Sequence, residues 1–205
     1  TANVEVDNLV KRINEVHDNL AQDSDHRFIL RRYGKKLSPT NRTNVEHLHI
    51  ETLCTNNEYQ IDGQRYEEEV SNADVLAGTL SSLPLGKIIS KEEFRAGIFE
   101  ENGQTMEIEN LIAFIRVSER VTLIGDHQQL KRGLKCQDLR WTNFDRSLME
   151  RLPLCDRHIL ETNYRSHPSI VTCFSEAFYG SKVRAAKVSR DLPKIKGIPW
   201  PKHGE

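Results

Sequence analysis

The chain has no Cys-x-x-Cys pair, although it holds four cysteines, Cys54, Cys136, Cys155 and Cys173. That spacing argues against a zinc site and against a disulfide framework, and it fits a reducing compartment, cytoplasmic or nuclear. No apolar run approaches the roughly 20 residues of a membrane span. Excess charge of one sign is also missing. The formal net charge over 205 residues is −1, so any anion site must be local rather than a property of the whole surface. The chain opens on Thr1 without a signal-peptide pattern and reads as cut from something longer.

What is present is an alternation of periods. Residues 4–20, VEVDNLVKRINEVHDNL, place Val6, Leu9, Val10, Ile13, Val16 and Leu20 at helical spacing with charges between them. HRFILRRYG reads as a short strand ending at Gly34. Residues 35–70 are polar and weakly periodic, an expected mobile connection or insertion carrying one helix. EHLHI within it reads equally as a helical turn or a strand. Strands are then expected in ADVLAGTLSS (73–82), FRAGIFEENGQ (94–104), RVTLIGDHQQL (120–130) and RHILETNYRSHP (157–168). Helices are expected in TMEIENLIAFIRV (105–117), FDRSLMERL (144–152) and PSIVTCFSEAFYG (168–180), the last opened by Pro168 and closed at Gly180. The tail after 181 reads as irregular. Alternating strands and helices predict a parallel α/β sheet, and in such sheets ligands gather at the carboxyl ends of the strands.

Three polar clusters each follow a strand: EENGQ (100–104), GDHQQL (125–130) and NYRSHP (163–168). Carboxylates there suit Mg²⁺ and a polarised water, while Gln and Arg suit a terminal phosphate. Taken singly, each is no more than a solvated turn. Their order and identity change the weighing. They resemble motifs II, III and IV of superfamily 1 helicases, in the group of the nonsense-decay helicase, senataxin and the NFX-type proteins. GDHQQL matches the G-D-x-x-Q-L motif, and NYRSHPSI…F…FYGS matches the Y-R-x-H-P motif with its following helix. TANVEVDNL (1–9) resembles motif Ia, ADVLAGTLSS motif Ib, and KGIPWP (196–201) a stretch of the second motor domain.

The resemblance implies a RecA-like P-loop NTPase motor domain, partial, over residues 1–155, followed by the start of a second over 156–205. It implies ATP-driven movement along single-stranded RNA or DNA, with ATP and Mg²⁺ as cofactors. Glu100 would hold Mg²⁺, Glu101 would orient or deprotonate the attacking water, and Gln104 closes that motif. Asp126 and Gln129 would couple the γ-phosphate to the nucleic acid. Arg165 would be an arginine finger, a group that can be worth on the order of 10³-fold in phosphoryl transfer. Tyr164 and His167 would brace its loop. Asn3 and Thr79 would touch the nucleic-acid backbone.

Several positions depart from the pattern. Glu100 replaces Asp, lengthening the arm by about 1.5 Å, and Asn102 stands where the family has Ala. Lys131 and Arg132 follow GDHQQL in place of x-Pro, and Glu5 replaces Ala in motif Ia. No G-x-x-x-x-G-K-[ST] phosphate loop occurs, since Gly86-Lys87 is followed by Ile88. That loop would precede Thr1, and motifs V and VI would follow Glu205. By itself the chain is therefore expected neither to bind ATP well nor to unwind. A second reading stays open: a degenerate helicase-like module kept as a nucleic-acid or protein scaffold. Outside the motifs, His47 and His49 read as a surface pair, since zinc needs further ligands. His127 reads as packing or solvent-facing. Lys131, Arg132 and Lys135 read as solvated cations.

Overall fold

The structure, a computed structural model, describes residues 2–23, 27–34, 37–82, 93–130, 133, 136–152 and 156–186. The chain divides into two compact units, Thr1–Arg151 and Leu152–Glu205.

The first unit opens with the helix α1 (Ala2–Asp23), longer at both ends than its apolar stripe alone requires. Strand β1 (Leu30–Tyr33) pairs in parallel with β2 (Val75–Gly78), Leu30 opposite Val75 and Tyr33 opposite Gly78. Side chains alternate across a strand, and here each face has its own cover. Leu30 and Ala77 pack with Val10 of α1 and with Val45 and Leu48, while Tyr33 packs with Ile50, Cys54 and Val70, joined by Leu76. The alternation also explains the paired arginines of β1. Arg32, on the α1 face, binds Asp7 at 3.0 Å, and Arg31, on the other face, binds Glu69 at 2.5 Å.

The polar stretch 35–70 is where the structure departs most from expectation. Among its described residues it holds three helices, α2 (Arg42–Val45), α3 (Ile50–Cys54) and α4 (Gly63–Ser71), with a 3-10 turn at Glu46–Leu48. Five of its apolar side chains enter the cores, Val45 and Leu48 in the one shared with α1 and Ile50, Cys54 and Val70 in the other, where they are the majority. The helices of four and five residues are too short for a periodic stripe to show, so the sequence looked unpatterned. Asp62 caps α4, its carboxylate accepting from the backbone N–H groups of Gln64 and Arg65 at 3.0 and 3.1 Å.

Strand β3 (Phe94–Phe99) pairs in parallel with β4 (Val117–Leu123) across α5 (Glu107–Phe114). Phe99 meets Phe114 edge to face at 4.8 Å between ring centres. Among the described residues β1–β2 and β3–β4 are separate two-stranded sheets rather than one continuous sheet. The helix expected over 144–152 shrinks to α6 (Leu148–Arg151). Asn143 turns into the left-handed region (φ 54°), and Ser147 forms an antiparallel bridge with Met106, so only the last residues are free to coil.

The second unit contains β5 (Thr162–Asn163), α7 (Pro168–Phe178) and β6 (Arg184–Ala185), with β5 and β6 parallel. Pro168 occupies the first turn of α7 and Gly180 (φ 57°) follows its end, as the sequence indicates. The strand expected from 157 is only two residues long. The tail after 181, expected to be irregular, instead opens with β6, which the parallel pairing to β5 orders; its remainder beyond 186, including KGIPWP, lies outside the described residues.

Candidate nucleotide and nucleic-acid sites

Two loop clusters form at strand carboxyl ends of the first unit. After β3 and β4, the loops are clasped backbone to backbone. The N–H of Asn102 donates to the carbonyl of Ile124 at 2.9 Å, and the N–H of Ile124 donates to the carbonyl of Phe99 at 2.8 Å. Gly103 lies against the peptide of Asp126 so closely that a Cβ there would collide with the Asp126 carbonyl. A Cβ on Gly125 would lie 2.5 Å from the Gly103 nitrogen. Two glycines on facing loops therefore bring EENGQ and GDHQQL into one site.

Within it, Glu101 holds a left-handed backbone (φ 53°), unusual for a residue with a Cβ. The Gln104 side-chain amide reaches the Glu101 carboxylate at 3.4 Å. Asp126 accepts from the Gln128 backbone N–H at 3.0 Å and from the Gln129 amide at 2.9 Å. Glu100, Glu101, Gln104 and Gln129 are exposed. Asn102 is fully buried and its amide donates to Oδ1 of Asn110 on α5 at 2.6 Å, with a return contact of 3.4 Å. Asn102, a departure from the family pattern, is thus matched by Asn110, a residue the motifs do not include. The only signal was a polar residue inside an apolar helix.

After β1 and β2 the second cluster joins residues far apart in sequence. Asn3 Oδ1 accepts from an Arg32 Nη at 2.9 Å. The other Arg32 Nη donates to the Tyr33 carbonyl at 2.7 Å and lies 2.7 Å from where a Gly34 Cβ would stand. The Ser82 hydroxyl approaches that same point to 3.2 Å and exchanges hydrogen bonds with Thr79, donating to its carbonyl and accepting from its hydroxyl, both at 2.9 Å. Asn3 and Thr79 are thus two ends of one chain of contacts through Arg32, Gly34 and Ser82.

His49 overturns the expected surface pair. His47 is exposed, but His49 is buried, with Nε2 2.6 Å from the Gly34 carbonyl and Nδ1 2.8 Å from the Thr52 hydroxyl. Burial, reinforced by Arg32, lowers its pKa against the opposing pull of the Gly34 carbonyl, Glu51 and Asp7. In the second unit, Asn163 Oδ1 accepts from the backbone N–H groups of Arg165 and Ser166 at 3.0 and 2.8 Å, leaving the Arg165 side chain exposed. His167 caps α7 through Ser169 N–H at 3.2 Å. Tyr164, expected to brace the loop, is 69% exposed. Lys131, Arg132 and Lys135 lie outside the described residues.

No group of three His, Cys, Asp or Glu among the described residues forms a metal cage. Mg²⁺ needs none, because it takes one or two carboxylates and fills its octahedron with phosphate oxygens and water. The all-oxygen donors Glu100, Glu101 and Asp126 on clasped loops fit that demand.

Parallel strand pairs joined through helices, with acidic and amide loops at their carboxyl ends, make this a mixed α/β domain. Residues 30–132, half of the chain, match the AAA domain family, and the chain belongs to it. Among curated proteins it is similar to the 3'-5' exoribonuclease HELZ2 of Mus musculus, 34% identical over 138 residues, 66% of this chain and 5% of that protein. It is similar to the Regulator of nonsense transcripts 1 homolog of Neurospora crassa, 30% identical over 149 residues, 69% of this chain and 13% of that protein. ATP-dependent helicase NAM7 of Saccharomyces cerevisiae is 32% identical over 147 residues, 69% of this chain and 15% of that protein. The chain thus falls in the nonsense-decay group of superfamily 1 helicases, and spans 5–15% of the length of these three relatives.

Proposed function

We propose that the chain is the part of an ATP-dependent RNA or DNA helicase that senses the terminal phosphate and carries the signal to bound nucleic acid. Residues 1–155 belong to a first RecA-like motor domain and 156–205 open a second. The observation that carries this reading is the glycine clasp holding the Glu100–Gln104 loop against Asp126. It brings the two phosphate-facing motifs to one strand edge.

Bound ATP and Mg²⁺ supply the transferable phosphoryl group and the counter-charge. Glu100 offers the ion a carboxylate. Glu101, held by Gln104, takes or orients the proton of the attacking water. Asp126 and Gln129 act as one hydrogen-bonded pair that answers the terminal phosphate. Arg165, on the loop after β5, is the arginine finger. Asn3 and Thr79 contact the nucleic-acid backbone. Without a phosphate loop of its own, the 205-residue chain binds ATP weakly and hydrolyses none. The alternative, a degenerate helicase-like scaffold, stands on the departures at Glu5, Glu100 and Asn102 and on Lys131-Arg132 in place of x-Pro.

The test is nucleic-acid-stimulated ATP hydrolysis in the intact protein carrying this chain. Glu101→Gln should lower turnover by about 10²-fold or more while sparing nucleotide binding. Unchanged turnover would sink the assignment.

A further inference from the structure

His49 has no part in the reading above, yet among the described residues it is the buried histidine that touches the turn joining Asn3 to Thr79. Three observations converge on it. The imidazole spans from α3 to the Gly34 carbonyl, and the backbone of His49 bridges that of Arg32. Gly34 itself (φ 118°) is wedged between the Arg32 guanidinium and the Ser82 hydroxyl, with no room for a side chain. Arg32 leads to Asn3, and Ser82 leads to Thr79. Moving the Gly34 turn therefore moves both ends of the cluster.

The partners assign the tautomer. A carbonyl only accepts, so Nε2 carries the proton and Nδ1 accepts from the Thr52 hydroxyl. The charged ring would keep both contacts, Nε2 still donating to Gly34 and the Thr52 hydroxyl accepting from Nδ1, so the burial and charge around the ring decide its state. Protonation would make Nδ1 a donor and set a second positive charge beside the buried Arg32 guanidinium. The charged groups around the ring are Arg32 of β1, Asp7 of α1 and Glu51 of α3. The two carboxylates soften the penalty, while burial and Arg32 keep the ring neutral near pH 7.

We infer that His49 is a positioning residue for nucleic-acid binding, holding the Gly34 turn so that Asn3 and Thr79 are presented together, and releasing it in acid. This rests on the reading of Asn3 and Thr79 as backbone contacts. Removing the imidazole leaves the Gly34 carbonyl unpaired and the turn free to shift, and in acid a second buried positive charge near Arg32 displaces the ring, whereas a glutamine amide can reach that carbonyl without titrating.

The experiment is fluorescence anisotropy of a fluorescein-labelled oligouridylate with the full 205-residue chain and its variants. At about pH 7.5, His49→Leu is expected to weaken binding by about tenfold, the worth of one buried hydrogen bond, and His49→Gln to restore most of it. From about pH 7.5 to about pH 5.5, wild-type affinity should fall several-fold relative to His49→Gln, which shares every other titrating group. Equal binding by the Leu and Gln variants, or a wild-type-to-Gln ratio that ignores pH, overturns the proposal. Should His49→Leu fail to fold, the pH ratio decides alone. Thr79→Val and Asn3→Ala separate the two layers. If they weaken binding while His49→Leu does not, only the positioning role falls. If they change nothing, or if wild type does not bind, the contact reading falls and takes the proposal with it.

Discussion

Asn102 and Asn110 form a closed, fully buried pair of amides, and such pairs respond asymmetrically to mutation. Removing one amide strands the other, at about 1–3 kcal/mol, while removing both can be nearly neutral. Asn110→Ala should therefore lower unfolding stability by about that amount. Adding Asn102→Ala, which restores the small residue of related motifs, should recover part of the loss. The coupling in that cycle should reach about 1 kcal/mol, and strictly additive losses would show that the pair does not act as a unit. His49 gives a second prediction at this scale. Its pKa is lowered in the fold, so below about pH 6.5 the unfolded chain takes up a proton that the folded chain resists. Its contribution to stability is complete above the unfolded value and declines as pH falls from there toward the lowered folded value. Urea midpoints measured across that window should drop in the wild type more than in His49→Gln. Parallel curves would rule the histidine out as the source.

Among the elements, the facing turns decide more than the strands do. Gly103 and Gly125 let two loops meet at backbone distance, so Gly103→Ala must push β3 and β4 apart at their carboxyl ends. The expected cost is about 2–3 kcal/mol, read by denaturant unfolding. Gly63 opens α4 with nothing within 4 Å of its missing Cβ. There Ala should stabilise by about 0.4–1 kcal/mol, through the entropy of the unfolded chain. Similar effects at both positions would contradict the clasp. Element identity was largely legible in the sequence, because α1, α5, α7 and four strand positions carry clear periods. The candidate site was named through motif resemblance, since acids and amides after a strand are in themselves ordinary turns, and the structure adds that two of its three clusters, EENGQ and GDHQQL, meet. What sequence could not show was long-range pairing. Asp7 with Arg32, His49 with Gly34 and Asn102 with Asn110 are each polar residues whose burial depends on partners set by the fold. The short helices of 35–70 escaped for a different reason, having too few turns to display a period.

At the scale of the molecule, the distribution of apolar surface is uneven. The β1–β2 sheet is covered on both faces, with Val10, Val45, Ile50 and Val70 almost wholly buried. The β3–β4 sheet and its helix are not. Ile108, Leu111, Ile112 and Ile115 form an i, i+3, i+4, i+7 stripe on α5 that is 45–72% exposed, and Ile98 of β3 is 73% exposed. In the second unit Leu160 and Ile170 are open as well. Contiguous apolar stripes of this kind lower solubility and offer binding sites to hydrophobic dyes. The two sheets should consequently part company on heating, the β3–β4 region losing protection before β1–β2. Amide hydrogen exchange should show slow exchange at Leu30–Tyr33 and Val75–Gly78 and faster exchange at Phe94–Phe99 and Val117–Leu123. Binding of 1-anilinonaphthalene-8-sulfonate by the isolated chain near neutral pH should be strong and should weaken when Ile108, Ile112 and Ile115 are replaced by Lys. A single cooperative melt with uniform exchange protection and no dye binding would mean that this stripe is covered in solution.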